Sequence, residues 1–205
     1  PAGEAGYVER LRERGSEKPI ALAAKSLTGK EVALTDDGTL SVGGRKPVMD
    51  LASPGDTLMS ALWSLSRPDG LTVKNEDLAP DAKIKLADNL LGQLETALKV
   101  SDDSPGKFRR HQAMGAALSV LAANKESLSA EQSENLLELL PQLSTPLQKM
   151  MAKRALADGE KLSEESKSTL SAFEFPEHGD EVLAAFDSMI KEESKAGWTQ
   201  IKGRA

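Results

Sequence analysis

Cysteine is absent from this 205-residue chain, aromatic residues make up only 3% of it, and histidine occurs twice. Without a thiol, the protein can form no disulfide, no thiolate metal site and no cysteine nucleophile. With so few aromatic residues, the core must be built from leucine, alanine, valine, isoleucine and methionine. Leucine and alanine favour helices, whereas aromatic and β-branched residues favour strands. The composition therefore predicts a mainly α protein.

Long apolar runs are also missing, since none approaches the roughly 18 to 20 residues that span a bilayer. The sequence therefore predicts no transmembrane segment. The net charge of −6 disfavours binding to the phosphate backbone of nucleic acids. No secretion signal is recognisable, so the cytoplasm is the default location. The first residue is Pro1 rather than methionine, which predicts a processed product or a piece of a longer protein, and any upstream signal or partner domain of that longer protein would lie outside this sequence.

The common cofactor and catalytic motifs are absent as well. The sequence has no phosphate-binding glycine loop, no dinucleotide fingerprint, no Gly-x-Ser-x-Gly elbow and no His-Glu-x-x-His. Glu177, His178 and Asp180 are close in sequence, but the second histidine, His111, is far along the chain. Metal sites need three or four ligands. We therefore predict neither a cofactor nor a metal.

The segment 1–54 is predicted to combine a short helix from Glu4 to Arg14 with a β-hairpin. Apolar residues alternate on both sides of the stretch 35–39, whose Asp-Gly pair is a strong hairpin signal. A calcium loop would need more oxygen ligands, and a phosphate loop would need a helix where Pro47 stands. The two aspartates and the glycines therefore indicate a turn.

The segment 55–205 is predicted to be an all-helical domain packed with the first segment, since its apolar residues recur with helical period. The first helix is expected to begin at Asp56 or Thr57, as cap, and to end at Leu65. The next two are expected over Ala79–Val100 and over Lys107–Asn124, the second of them with Phe108, Met114, Leu118 and Leu121 on one face. Four more are expected from a Ser129–Gln132 capping box to about Pro141, from Thr145 to Gly159, from Ser163 through Phe173, and from Pro176 toward Trp198.

Three of these openings are alike, namely 78–81, 128–131 and 162–165. In each, a leucine comes first, an acidic residue stands three positions on, and another leucine follows eight positions after the first. The similarity indicates stacked helical hairpins, although common helix-start chemistry would produce it too. The fold is therefore either a helical bundle or a short stacked helical-hairpin array, with a small N-terminal β-hairpin.

The first candidate binding surface consists of Lys107, Arg109, Arg110 and His111, at a predicted helix start. Helix N-termini attract anions, and arginine forks match carboxylates and phosphates. The neighbouring positive charges favour a neutral imidazole on His111. The alternative is that the cations pair with the aspartates of the preceding loop.

The second candidate surface consists of Lys149, Lys153 and Arg154, which flank two methionines on one helix. Methionine adapts to varied partners. The same pattern would arise from core methionines beside lysines whose aliphatic side chains pack along the protein and whose ammonium groups reach solvent. The run 136–140 has the Leu-x-x-Leu-Leu form of some docking helices, although core packing explains it more simply.

These observations predict a non-catalytic protein–protein interaction domain, a scaffold or adaptor, that binds an acidic surface or peptide of another protein. One alternative is an enzyme without recognisable motifs, using His111, Arg109 and Arg110 on an anionic substrate. Another is an acidic-membrane binder that uses both basic surfaces. A scaffold should show an exposed groove or apolar patch, whereas an enzyme should place His111 at the base of a cleft.

Overall fold

The computed structural model describes residues 32–42, 45, 49–66 and 78–188. The predicted helix at 4–14 and the far end of the last helix lie outside these residues. The described elements are β1 (Val32–Leu34), β2 (Leu40–Val42), α1 (Asp56–Leu65), α2 (Pro80–Leu98), α3 (Lys107–Ala123), α4 (Ala130–Leu139), α5 (Pro146–Leu156), α6 (Glu164–Ala172) and α7 (179–188). The prediction of a mainly α protein with a small N-terminal β-hairpin is confirmed.

The two aspartates of the hairpin stretch belong to a turn, as predicted. β1 and β2 pair antiparallel, with Leu34 opposite Leu40. Gly38 has φ 75°, a left-handed conformation that glycine adopts without strain. The Asp37 carboxylate accepts hydrogen bonds from the Thr35 and Thr39 hydroxyls, so it stabilises the turn itself.

The tip of this hairpin packs tightly on α2. The Lys85 ammonium donates to the carbonyl of Asp36 at 2.8 Å, and the Asn89 amide donates to that of Gly38 at 3.0 Å. A methyl group at Gly38 would collide with the backbone of Lys85. The hairpin is therefore docked on the longest described helix.

Side chains cap three of the predicted helix starts. Ser129 and Gln132 form a reciprocal capping box at α4, and Thr145 and Gln148 form one at α5. The Ser163 hydroxyl caps α6. In each case a side-chain oxygen accepts a hydrogen bond from a backbone N–H of the first turn, which has no partner within the helix. These starts were identifiable because cap and partner are only three residues apart.

The start of α1 differs from its prediction. Neither Asp56 nor Thr57 is the cap, because Gly55 occupies that position and makes no side-chain hydrogen bond. Asp56 lies instead in the first turn, where a carboxylate complements the positive end of the helix dipole. The predicted cap was therefore wrong, although the helix itself is present.

Helix α3 lies at the centre of the helical region. Every residue from 113 to 122 is buried, and these are mostly alanine, glycine and serine, with a few larger apolar residues. Small side chains let neighbouring helices come close on all sides, and α3 packs against α1, α2 and α5. The prediction of a one-sided apolar face was therefore wrong for this helix. Phe108, assigned to that face, is 75% exposed, while Arg110 occupies the buried side of the same turn.

The helices pack in an alternating order. α2 and α4 are neighbours, α4 contacts α6, and α3 contacts α5. Met150 of α5 lies against Gly179 at the start of α7, and the Phe186 ring of α7 packs at a tilt against Trp63 of α1 with ring centroids 5.3 Å apart. This order is compatible with stacked hairpins, and the sequence repeat itself stays a prediction. None of the described helices is both long and apolar enough to cross a membrane.

Candidate functional site

The first predicted surface surrounds the N-terminal turn of α3, and Arg110 is its most buried member. Only 1% of Arg110 is exposed. Its guanidinium donates to the hydroxyl of Ser104 at 2.9 Å and to the carbonyl of Ser101 at 3.1 Å, and it meets the Asp102 carboxylate at 3.2 Å. Arg110 therefore points inward and holds the loop between α2 and α3, rather than presenting its fork to a ligand.

His111 lies next to this loop and joins two segments of the chain. Its Nε2 is 3.0 Å from the Asp102 carboxylate, and its Nδ1 is 3.2 Å from the Ser144 hydroxyl and 3.1 Å from the Gln148 amide nitrogen. An acid, an imidazole and a hydroxyl are therefore connected in series. Such a series is the basic requirement of a serine nucleophile with its general base.

The side-chain amide of Gln148 opposes that chemistry. Its oxygen accepts from the backbone N–H groups of Ser144 and Thr145, and its nitrogen donates to the His111 carbonyl. Backbone N–H groups can only donate and carbonyls can only accept, so this amide has one possible orientation. Its N–H therefore points at His111 Nδ1, which must act as an acceptor. The proton of the neutral ring is on Nε2, facing Asp102.

This tautomer has a chemical consequence. A base that took the Ser144 proton onto Nδ1 would place a new N–H against the Gln148 N–H group. The hydrogen bond between Gln148 and the imidazole would be lost when the proton is transferred. The protonated form of a catalytic base is normally stabilised by its surroundings instead. Gln148 is fully buried, so it has no solvent to which it could turn. The arrangement therefore fits a structural histidine better than a catalytic one.

Asp102 collects the positive charges of this turn. The hydrogen bond from His111 is the largest influence on its carboxylate and lowers the pKa of Asp102. Desolvation acts in the opposite direction, while the hydrogen bond and charge of Lys107, 3.3 Å away, lower the pKa further. The pKa of Asp102 therefore lies below its usual value. The alternative that the cations of this turn pair with the loop aspartates is realised at Asp102.

Arg109 and Phe108 point away from this network. The Arg109 guanidinium forms an ion pair with Asp56 in the first turn of α1. Phe108 has the largest exposure of the bulky apolar side chains in the described part of the chain. The first turn of α3 thus exposes an aromatic ring, while the residues around that ring are held in place by hydrogen bonds and ion pairs.

The second predicted surface is also occupied by contacts within the chain. The Lys153 ammonium lies 4.9 Å from the centre of the Phe175 ring. Arg154 pairs with Asp187 of α7 at 3.2 Å. Lys149 is half-buried. Lys153 and Arg154 are therefore already engaged by side chains of the same chain.

The apolar residues near the second surface belong to the core. Met150 and Met151, which the three cations flank, are both buried. The four leucines of 136–140 are buried as well. Core packing therefore explains the methionine pair and the Leu-x-x-Leu-Leu run.

His178 is exposed and lies 3.6 Å from Glu181. Among the described residues, no three or more histidine, aspartate or glutamate side chains converge in the way that a metal ion requires.

Sequence reasoning missed one feature, a groove of about 540 Å³ between α2 and α4. One stripe of each helix lines it: Asp88, Leu91, Gly92, Glu95 and Lys99 from α2 and its cap, and Asn135, Glu138, Leu139 and Gln142 from α4 and the turn after it. The helical spacing of each stripe is visible in the sequence. Their pairing is not, because it depends on which helices become neighbours.

Gln132 fixes one end of this groove. Its side-chain nitrogen donates to the Ile84 carbonyl at 2.9 Å and to the Asp88 carboxylate at 2.6 Å, while its oxygen accepts from the Ser129 N–H. A single buried amide thus caps α4 and joins it to α2. From this contact both helices run along the groove toward their C-terminal ends.

The chain matches no protein-family model, no curated protein and no solved structure. Its own surfaces are therefore the only basis for assigning a function.

Proposed function

We propose that this chain is a non-catalytic protein–protein interaction domain that contacts its partner through the first turn of α3, with Phe108 as the anchor. The observation that carries the proposal is the 75% exposure of this phenylalanine in a chain with four phenylalanines. Isolated exposed leucines are common on protein surfaces, but aromatic rings are concentrated among the residues that dominate binding energy.

The surroundings of Phe108 support this role. Arg110, Asp102 and His111 hold the turn in place, so little conformational freedom would be lost there on binding. The partner is proposed to offer an apolar pocket rimmed by acidic groups. The N-cap of α3 is Gly106, which gives no side-chain cap, and the first turn contains no acidic residue. The helix dipole therefore adds positive potential beside the ring.

The basic residues of the turn contribute less binding free energy than their number in the sequence indicates. Lys107 lies near the Asp102 carboxylate, and Arg109 pairs with Asp56. Exposed ion pairs of this kind contribute little free energy, and a partner would have to compete with these carboxylates for the cations. We therefore assign the larger share of the binding energy to the ring and treat the cations as its rim.

The enzyme alternative has one observation in its favour, the series of Asp102, His111 and Ser144. The Gln148 amide opposes it, because it requires His111 Nδ1 to remain an acceptor. A fluorophosphonate probe, which labels activated serines, should leave Ser144 unmodified under conditions in which a serine hydrolase is fully labelled. Stoichiometric labelling that disappears in Ser144→Ala would favour the enzyme instead.

The proposed contact is tested by quantitative affinity capture from an extract of the source cells, comparing the wild-type chain with Phe108→Ala. We expect the same partner to be enriched by the wild type and lost with Phe108→Ala. Ile84→Ala is the matched control, because Ile84 is the other large apolar side chain exposed in the described residues, at 39%. The captured partner should then bind purified wild-type chain at least about tenfold more tightly than Phe108→Ala. Equal affinities would refute the assignment of the surface.

A further inference from the structure

The groove between α2 and α4 contains a glycine that the packing of the described residues does not explain. Gly92 lies inside the longest described helix, where glycine costs roughly 1 kcal/mol relative to alanine. No atom of the described residues lies within 4 Å of a Cβ atom built at this position, and the backbone is helical. Within the described part of the chain, neither a close neighbour nor an unusual backbone angle requires glycine here. What glycine does provide is room for another chain to approach the helix closely.

The floor and length of the groove fit a helix. Leu91 and Leu139 form an apolar floor. Lys99 stands 11 positions after Asp88, a distance of roughly 16 Å at the rise of an α-helix. That length matches about three turns of an occupant whose apolar residues recur at helical spacing.

The walls of the groove determine the charge of the occupant. Three carboxylates, those of Asp88, Glu95 and Glu138, line it, against the single ammonium of Lys99. Lys99 already pairs with Glu95 at 2.7 Å. In addition, α4 has no basic residue in its last turn, so the negative end of its dipole adds to the potential, whereas Lys99, the C-cap of α2, offsets that of α2. A cationic occupant complements this surface.

We propose that the groove binds a basic amphipathic helix of a partner protein. The apolar stripe of that helix lies on Leu91 and Leu139, a small or apolar residue packs over Gly92, and lysine or arginine side chains reach the carboxylates of the walls. This surface is distinct from the turn that carries Phe108, so the two proposals can fail separately.

The test uses the full chain and a fluorescein-labelled peptide of about 14 residues, with leucines along one helical face and lysines elsewhere. Binding is measured by fluorescence anisotropy at near-physiological salt. We expect saturable binding to the wild type. Gly92→Leu should weaken it at least about tenfold, because the new side chain occupies the groove. Glu138→Lys should weaken it several-fold by reversing one wall charge.

Two controls separate the groove from general attraction to an acidic protein. Glu165→Lys makes the same charge change on the exposed surface of α6 and should alter the affinity by less than about twofold. A peptide of the same composition with its leucines spread around the helix should bind much more weakly. The proposal is overturned if the patterned peptide does not saturate, if Glu165→Lys weakens binding as much as Glu138→Lys, or if both peptides bind alike. Loss of peptide binding in Phe108→Ala would overturn it too, by assigning the peptide to the other surface.

Discussion

The first turn of α3 and the groove between α2 and α4 differ in whether their charged side chains are directed into the fold or exposed at the surface. At the turn, Arg110 and His111 are directed at the loop before the helix, whereas Phe108 projects outward. Along the groove, Glu95 and Glu138 are exposed on the walls, with Glu95 paired only to the exposed Lys99 in the described part of the chain, and Gly92 adds no side chain. A cluster of charges in sequence therefore identifies a surface only when the fold does not use those charges internally.

The largest expected effect on stability comes from removing Arg110, the buried cation of this turn. Arg110→Ala should lower the free energy of unfolding by about 2 to 4 kcal/mol, because it leaves a cavity and removes the hydrogen bonds that hold the loop. Arg109→Ala is the matched control, since Arg109 is one-third exposed and pairs with Asp56; it should cost less than about 1 kcal/mol. Chemical denaturation measures both. Equal losses would mean that burial does not distinguish the two arginines.

Gln132→Ala should have the next largest effect, about 1 to 2 kcal/mol in the free energy of unfolding. The substitution removes half of the capping box and both bonds to α2. It should also weaken binding of the groove peptide, since the end of the groove is no longer fixed. Gln142→Ala, which loses one exposed contact at 3.4 Å, should leave stability nearly unchanged. If it destabilises as much, the buried amide has no special role.

Gly92→Ala should raise the free energy of unfolding by about 0.5 to 1 kcal/mol, because alanine favours an exposed helix interior. Gly106→Ala offers a matched comparison. A Cβ atom at Gly106 also has no atom of the described residues within 4 Å, but φ there is 79°. That substitution should therefore destabilise by about 1 kcal/mol. Thermal or chemical unfolding of the pair checks this, and a destabilising Gly92→Ala would show that the glycine serves the fold itself.

The smallest expected effect is on the acid dependence of stability. The folded pKa of Asp102 lies below its ordinary value, so the ion pairs and hydrogen bonds of Asp102 contribute fully above about pH 4. That contribution is lost as the pH falls through the lowered folded pKa. The difference in unfolding free energy between wild type and Asp102→Asn should therefore shrink between about pH 5 and pH 2. A constant difference would exclude this role for the carboxylate.

Local signals in the sequence predicted much of the fold. The Asp-Gly turn, the Ser129–Gln132 capping box and the helix that begins after Thr145 each depend on residues within a few positions of one another. The exposure of Phe108 and the burial of α3 on all sides were not predictable, because they depend on which helices surround α3. The groove was missed for the same reason, since Gln132 and Asp88, which join its two walls, are 44 positions apart in the chain.

The contact made by Gln132 at one end of the groove gives the surface a polarity. Since α2 and α4 leave that contact in the same direction, their carbonyl-rich ends lie together at the far end. A bound helix would gain by placing its own amino end there, antiparallel to both. Reversing the order of residues in a ligand would thus change its affinity even with the composition and the apolar pattern preserved.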